Sequence, residues 1–307
     1  MSRIASLISS GTEILYALGL GESVVATSHE CDFPPEATTH RRVTISNIDS
    51  QSDSLDIDGQ VKSISAAGGA LYDFDRDALL GLRPDVIITQ AQCDVCAVRY
   101  QDVVDFVQGE PALESTRIIA LNPQSLSDVF ADVLRVGSVL GVADRAEQYV
   151  NGLLERVDAI RRRTAPMLEE SRPRVICIEW IEPLMLAANW TPELIDIAGG
   201  RCPLTQAGRH SDYSSWSSVV QFDPEVIVVS PCGFDLARTL EEAKPVETWE
   251  GFDELTATRS GRVFALDGNA YLNRSGPRLV ESVEILAHLF HPKVFPESHA
   301  GDWQALA

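Results

Sequence analysis

The sequence predicts an α/β protein built as two doubly wound Rossmann-like lobes joined by a long α-helix. Three observations predict it. Apolar runs that read as buried strands alternate with helical patterns, which implies mainly parallel sheets with right-handed crossovers. The chain also repeats itself. Leu82-Arg83-Pro84-Asp85-Val86-Ile87-Ile88-Thr89 matches Phe222-Asp223-Pro224-Glu225-Val226-Ile227-Val228-Val229, and Thr116-Arg117-Ile118-Ile119-Ala120-Leu121-Asn122 matches Gly261-Arg262-Val263-Phe264-Ala265-Leu266-Asp267, at offsets of 140 and 145 residues. Between the copies, residues 125–163 place apolar side chains at helical spacing.

Taken in order, Arg3-Ile4-Ala5-Ser6-Leu7 reads as a first strand, and Ser9-Ser10-Gly11-Thr12 as the capped start of the helix after it. Each copy of the repeat is a helix end, a proline stop and a buried strand, because proline lacks an N–H and its ring pushes the residue before it out of the α region. In the central helical stretch the apolar positions are Val129, Val133, Val136 and Leu140, then Ala146, Val150, Leu154, Val157 and Ile160, with Gly141 as the break. Asp144 to Arg163 therefore reads as one long helix, ended by Pro166, and Arg174-Val175-Ile176-Cys177-Ile178 as the first strand of the second lobe. The expected division is a lobe at 1–141, a linking helix at 142–166 and a lobe at 167–307. Ligands of open α/β sheets bind outside the carboxyl ends of the strands, so a cleft between the lobes is the expected site.

The 307 residues are 45% hydrophobic and 23% charged, enough for two cores, and carry a net charge of -20. That charge excludes a nucleic-acid surface or an anionic membrane, both of which need a basic patch. No apolar stretch is long enough to insert into a bilayer. Met1-Ser2-Arg3-Ile4-Ala5-Ser6-Leu7 lacks the pattern of a secretory signal, so the expected location is cytoplasmic, where thiols stay reduced.

Arg3-Ile4-Ala5-Ser6-Leu7-Ile8-Ser9-Ser10-Gly11-Thr12-Glu13-Ile14-Leu15, Leu82-Arg83-Pro84-Asp85-Val86-Ile87 and Gly261-Arg262-Val263-Phe264-Ala265-Leu266-Asp267 carry a further likeness. With the long helix between them, the chain resembles the class III substrate-binding proteins of ABC transporters, in their cobalamin-binding branch. The resemblance implies the class III periplasmic-binding-protein fold and a cobalamin-like corrinoid, or a related metal-tetrapyrrole such as haem, in the interlobe cleft. It also implies an acidic residue on the outer surface of each lobe to dock on a permease. Asp77 holds that place in the first lobe, but around Ser215-Trp216-Ser217-Ser218 there is no carboxylate, so permease docking is doubtful on the sequence alone.

Candidate ligand residues sit at strand ends. Ser9 and Ser10 offer hydroxyls and helix N–H groups to an anionic group. Ser28-His29-Glu30-Cys31-Asp32 gathers an imidazole, two carboxylates and a thiol, with His29 a possible axial ligand and Glu30 beside it. Gln92 follows the repeated strand, and Tyr72 is a candidate wall of the first lobe. In the second lobe Glu179, Trp180, Trp190 and Phe234 supply an acid and broad aromatic faces, and Tyr271, Asn273 and Arg274 could hydrogen-bond ligand edges.

Four cysteines, Cys31, Cys93, Cys96 and Cys232, lie at or just beyond strand ends and could hold zinc or an iron-sulfur cluster. The alternative to a tetrapyrrole carrier is therefore a cytoplasmic metal or iron-sulfur protein on the same scaffold. An enzyme is supported least, because no Gly-rich phosphate loop, nucleophile elbow or paired-carboxylate motif is present.

Overall fold

The computed structural model describes residues 2–92, 97–296 and 299–306. Chain contacts divide it into two units: residues 1–52, 56–123 and 127–151 form unit 1, and residues 53–55, 124–126 and 152–307 form unit 2.

Unit 1 begins with β1 (Ile4–Ser6), α1 (Ser9–Ala17) and β2 (Val24–Thr27), followed by β3 (Thr44–Ser46), α2 (Ser54–Ala66), β4 (Tyr72–Phe74), α3 (Arg76–Leu82) and β5 (Val86–Gln90). It continues through α4 (Tyr100–Gly109), β6 (Arg117–Leu121) and α5 (Leu126–Val139) into α6 (Ala143–Thr164). Its main sheet is parallel, in the order β2-β1-β5-β6, while β3 and β4 form a separate antiparallel ladder. β5 is buried along its whole length because helices cover a parallel sheet on both faces. On one face Ala5, Leu7, Ala26 and Ile87 pack with Phe74, Val103 and Phe106. α1 lies close over the other, where a Cβ on Gly11 would stand 2.7 Å from Ile88 Cγ2.

Unit 2 contains β7 (Val175–Trp180), β8 (Met185–Leu186), α7 (Thr191–Ile197), α8 (Trp216–Phe222), β9 (Val226–Val229), α9 (Leu236–Glu242), α10 (Thr256–Arg259), β10 (Val263–Leu266), α11 (Leu279–Phe290) and β11 (Trp303–Ala305). The sheet order is β11-β10-β9-β7-β8, with β10, β9 and β7 parallel and both edge strands antiparallel. The two edge strands escape sequence reading because two or three residues are too few to show a period.

The repeat seen in the sequence extends to individual hydrogen bonds. Arg3 N–H donates to Asp85 Oδ2 at 2.7 Å and Arg174 N–H to Glu225 Oε2 at 2.9 Å. Arg3 Nε reaches Leu82 O and Arg174 Nε reaches Asp223 O, so each first strand is tied to the proline stop of its own unit. α3 and α8 both end on a left-handed residue, Arg83 (φ 46°) and Asp223 (φ 49°). The two positions differ in what the side chain does. Arg83 is exposed, whereas Asp223 accepts from Thr256 N–H and Thr256 Oγ1 at 2.8 and 2.7 Å, and these bonds lower its pKa. Arg83→Gly is therefore expected to change stability by less than about 1 kcal/mol, since relief of the left-handed strain offsets the extra freedom of the unfolded chain. Asp223→Gly is expected to lose about 2 kcal/mol with its hydrogen bonds. Urea midpoints of the two variants check this, and equal losses would refute it.

α6 runs as the sequence predicts, with Asp144 in its first turn and Arg161, Arg162 and Arg163 in its last, matching the helix dipole. The predicted stripe is corrected at one position. Leu153 is buried and Leu154 is 38% exposed, because the inward positions Ala146, Val150, Leu153, Val157 and Ile160 alternate steps of four and three. The unit boundary at 151/152 falls inside this helix, which the sequence reading set apart as a linker.

Candidate functional site

In unit 1 the loop after β2 presents His29. Its backbone N–H donates to Thr44 Oγ1 at 2.8 Å, its Nδ1 lies 2.6 Å from the same oxygen, and Thr44 Oγ1 donates to Ser28 Oγ at 3.0 Å. The ring stacks on Tyr72 of β4, with centroids 5.6 Å apart and planes 29° apart. Nε2 stands 3.1 Å from Glu30 Oε1, near enough for an ion pair when the ring is protonated but without the alignment of a hydrogen bond. Three segments of sequence separated by up to 44 residues thus fix one half-buried imidazole, and the sequence-predicted residues His29, Glu30 and Tyr72 come together.

Ser9 and Ser10 form the first turn of α1, not its cap. The cap residue is Ile8, and no side chain caps the helix. Gln92 is half-buried, and its N–H donates to Gln90 Oε1 at 2.7 Å. Cys31 is 1% exposed, with Sγ 3.0 Å from Thr12 Oγ1 of α1, so its thiol belongs to the interior of unit 1. Cys93 and Cys96 lie outside the described residues. Among the described residues no group of three or more His, Cys, Asp or Glu is arranged to hold a metal ion.

In unit 2 Glu179 lies near the end of β7, where Ser211 Oγ donates to its Oε2 at 2.7 Å and is itself held by Ala188 N–H at 3.0 Å. Burial pushes the Glu179 carboxyl pKa up, against the Ser211 hydrogen bond. Trp180 lies against Phe234 with ring centroids 5.4 Å apart, and Arg238 places its guanidinium carbon 3.5 Å over the Phe234 ring. Phe234 is buried and Trp180 half-buried, so Trp180 is the member that can face a ligand. Cys232 is exposed in the same loop.

Four other expectations are corrected. Trp190 sits in the interior at 6% exposure, with Nε1 donating to Leu272 O at 2.7 Å, because its neighbours in sequence are polar but its surroundings in space are not. It also serves as the cap residue of α7. Tyr271 is buried and donates to Asp302 Oδ2 at 2.6 Å; burial first, and then this carboxylate, push its pKa up. Asn273 Nδ2 donates to Ser230 O at 2.7 Å, and the buried Arg274 donates to Asn269 Oδ1. These three side chains lock the loop after β10 to its own unit instead of lining an edge.

Unit 2 also carries an open hollow of about 470 Å³, lined among others by Ile181, Leu184, Trp216 and Trp249 with Glu182 and Glu250. It forms because Trp216 Nε1 donates to Glu250 O at 2.8 Å and its ring meets Trp249 edge-on at 4.9 Å. Sequence reading missed the two tryptophans as a pair, since no local pattern joins positions so far apart.

Two α/β units, each with a mainly parallel sheet whose strand ends carry polar and aromatic loops, have the architecture of a ligand-binding protein. The chain belongs to the Periplasmic binding protein family, whose model matches residues 4–270. It is a substrate-binding protein of the class III periplasmic-binding-protein fold. Among its relatives is an uncharacterized ABC transporter substrate-binding lipoprotein, YvrC, of Bacillus subtilis, 22% identical over 303 residues, covering 96% of this chain and 82% of the relative. A vitamin B12-binding protein of Vibrio parahaemolyticus is 21% identical over 291 residues, covering 94% and 89%. The solved structure of a periplasmic heme binding protein from Pseudomonas aeruginosa superposes with a TM-score of 0.72 at 18% identity, covering 100% of this chain and 98% of that one.

Proposed function

We propose that this protein binds a metal-tetrapyrrole, a corrinoid of the cobalamin type before a haem, and carries it without chemical change. The observation that carries the reading is His29, a half-buried imidazole oriented by Thr44 and stacked on Tyr72, as a ligand to cobalt or iron requires. Support for the corrinoid comes from the relatives named vitamin B12-binding proteins, and Trp180 beside Phe234 offers the flat apolar contact that a macrocycle needs. Asp77 stands exposed in the first turn of α3 while the first turn of α8 has no acidic residue, which argues against paired acidic contacts to a permease.

Titration of the full chain with aquocobalamin and, separately, with hemin, followed by absorbance, tests the proposal. A saturable spectral shift with aquocobalamin is expected, and His29→Ala is expected to weaken binding about tenfold, the equivalent of about 1.4 kcal/mol. Failure to bind either compound would overturn the reading.

A further inference from the structure

We infer that the N-terminus of α1 is an oxyanion subsite, receiving a phosphodiester or carboxylate group on the edge of the ligand; this deepens the tetrapyrrole reading and rests on it for the identity of the ligand. α1 is nine residues long, starts after Ile8 with no side-chain cap, and has no acidic residue in its first turn. The N–H groups of Ser9, Ser10 and Gly11 precede the first helical hydrogen bond, which Thr12 N–H makes to Ile8 O at 3.2 Å. They form the positive end of the helix dipole, and Ser9 is only half-buried, so this end opens to solvent.

The second observation is independent of the backbone N–H groups. Ser10, 1% exposed, and Thr27, fully buried, hold hydroxyls with no hydrogen-bond partner among the described residues. Ser10 belongs to the first turn itself. Thr27 ends β2 in register with Ser6 of β1, and residues in register share a face. That face is the one α1 covers, since Gly11 approaches both Ser6 Oγ and Ile88 Cγ2. Ser6 Oγ is already engaged by Ile8 O at 3.0 Å, which leaves Ser10 and Thr27 as the unused donors. Two residues beyond Thr27 stands His29, whose Nε2 also lacks a hydrogen bond among the described residues. Buried polar groups are nearly always paired, so two orphan hydroxyls beside an uncapped helix end mark a place where an acceptor-only group belongs. Carboxylates nearby are not competitors for it. Glu13 lies a turn further into α1, and Glu30 is set against His29.

A singly charged oxyanion has two sources in this ligand class, the phosphodiester of cobalamin and the propionates of haem. Calorimetric titrations with cobalamin, with cobinamide, which lacks the phosphodiester, with hemin and with hemin dimethyl ester separate them. The expected result is that the wild type prefers the oxyanion-bearing member of one pair at least tenfold, and that Ser10→Ala removes most of that preference while the member without the oxyanion binds as before. If the members of each pair bind equally to the wild type, the subsite is overturned while the tetrapyrrole reading stands; this arm needs no variant. If none of the four binds, the tetrapyrrole reading is overturned, and titration with inorganic phosphate monitored at the amide resonances of Ser9, Ser10 and Gly11 decides the subsite alone. Saturable shifts would uphold it, and unmoved resonances would overturn it.

Discussion

Gly268→Ala is expected to lower the free energy of unfolding by about 3 kcal/mol, at the upper end of what overpacking costs. A Cβ at this position would stand 2.0 Å from Pro231 O and 2.8 Å from Pro231 C. Both obstacles are backbone, so no rotamer change relieves them and the loop must shift. The shift breaks a seam within unit 2. Gly268 N–H donates to Phe234 O at 2.9 Å, Asn269 N–H to the same oxygen at 3.0 Å, and Asn273 holds Ser230 O. Phe234 is the ring on which Trp180 and Arg238 rest, so affinity for the proposed ligand is expected to fall with stability. Gly233→Ala is the control. Its φ is +78° with nothing near the added carbon, so it is expected to cost only about 1–2 kcal/mol of left-handed strain. Urea midpoints at constant m-value measure both, and equal losses would show that the close approach is not the cause.

The second large effect is expected from Glu284. Arg156 on α6 donates to its two oxygens from Nε and Nη2 at 2.8 and 2.7 Å, and His299 Nε2 lies 3.1 Å from Oε2. Burial alone would raise this carboxyl, but the Arg156 and His299 hydrogen bonds hold it down at about 2, against an ordinary value of 4.5. A carboxyl whose folded pKa is depressed stabilises the fold above its unfolded pKa and loses that contribution as pH falls through the folded one. The wild type is therefore expected to exceed Glu284→Gln by roughly 3 kcal/mol near neutrality, with the gap shrinking below pH 4.5 and closing near pH 2. His299 acts in the opposite sense. Glu284 raises its pKa above 6.5, so its contribution is full below that value and lost as pH rises through the raised one, a loss that Glu284→Gln should lack. Denaturant titrations of both proteins across pH decide the matter. A gap that stays constant with pH would mean that the charge is not its source.

Most of the fold was legible because its signals are local. The proline stops at Pro84 and Pro224 fall where α3 and α8 end, and Gly141, at φ +75°, breaks the helical stretch between α5 and α6. The antiparallel edge strands were not legible, since β8 and β11 are placed by pairing with β7 and β10 and have no period of their own. For the site, the cluster of His29 and Glu30 was visible as neighbours in sequence, but Thr44 and Tyr72, which orient the ring, come from the β3–β4 ladder. Tyr271, Asn273, Arg274 and Trp190 look like a ligand edge by residue type, but Tyr271, Asn273 and Trp190 are engaged by partners 31 to 82 residues away and Arg274 by Asn269 within its own loop.

By itself the sequence determined the class of fold, the duplicated unit and the helix that runs from one copy toward the next, because periodicity, proline and glycine act within a few residues. Only the tertiary structure decided which polar and aromatic side chains are consumed by their own unit and which, like the Ser10 and Thr27 hydroxyls, are left without a hydrogen-bond partner among the described residues. A side chain's hydrogen-bond partners are set by strand register and packing across tens of residues, and no local pattern of residue types encodes that distance.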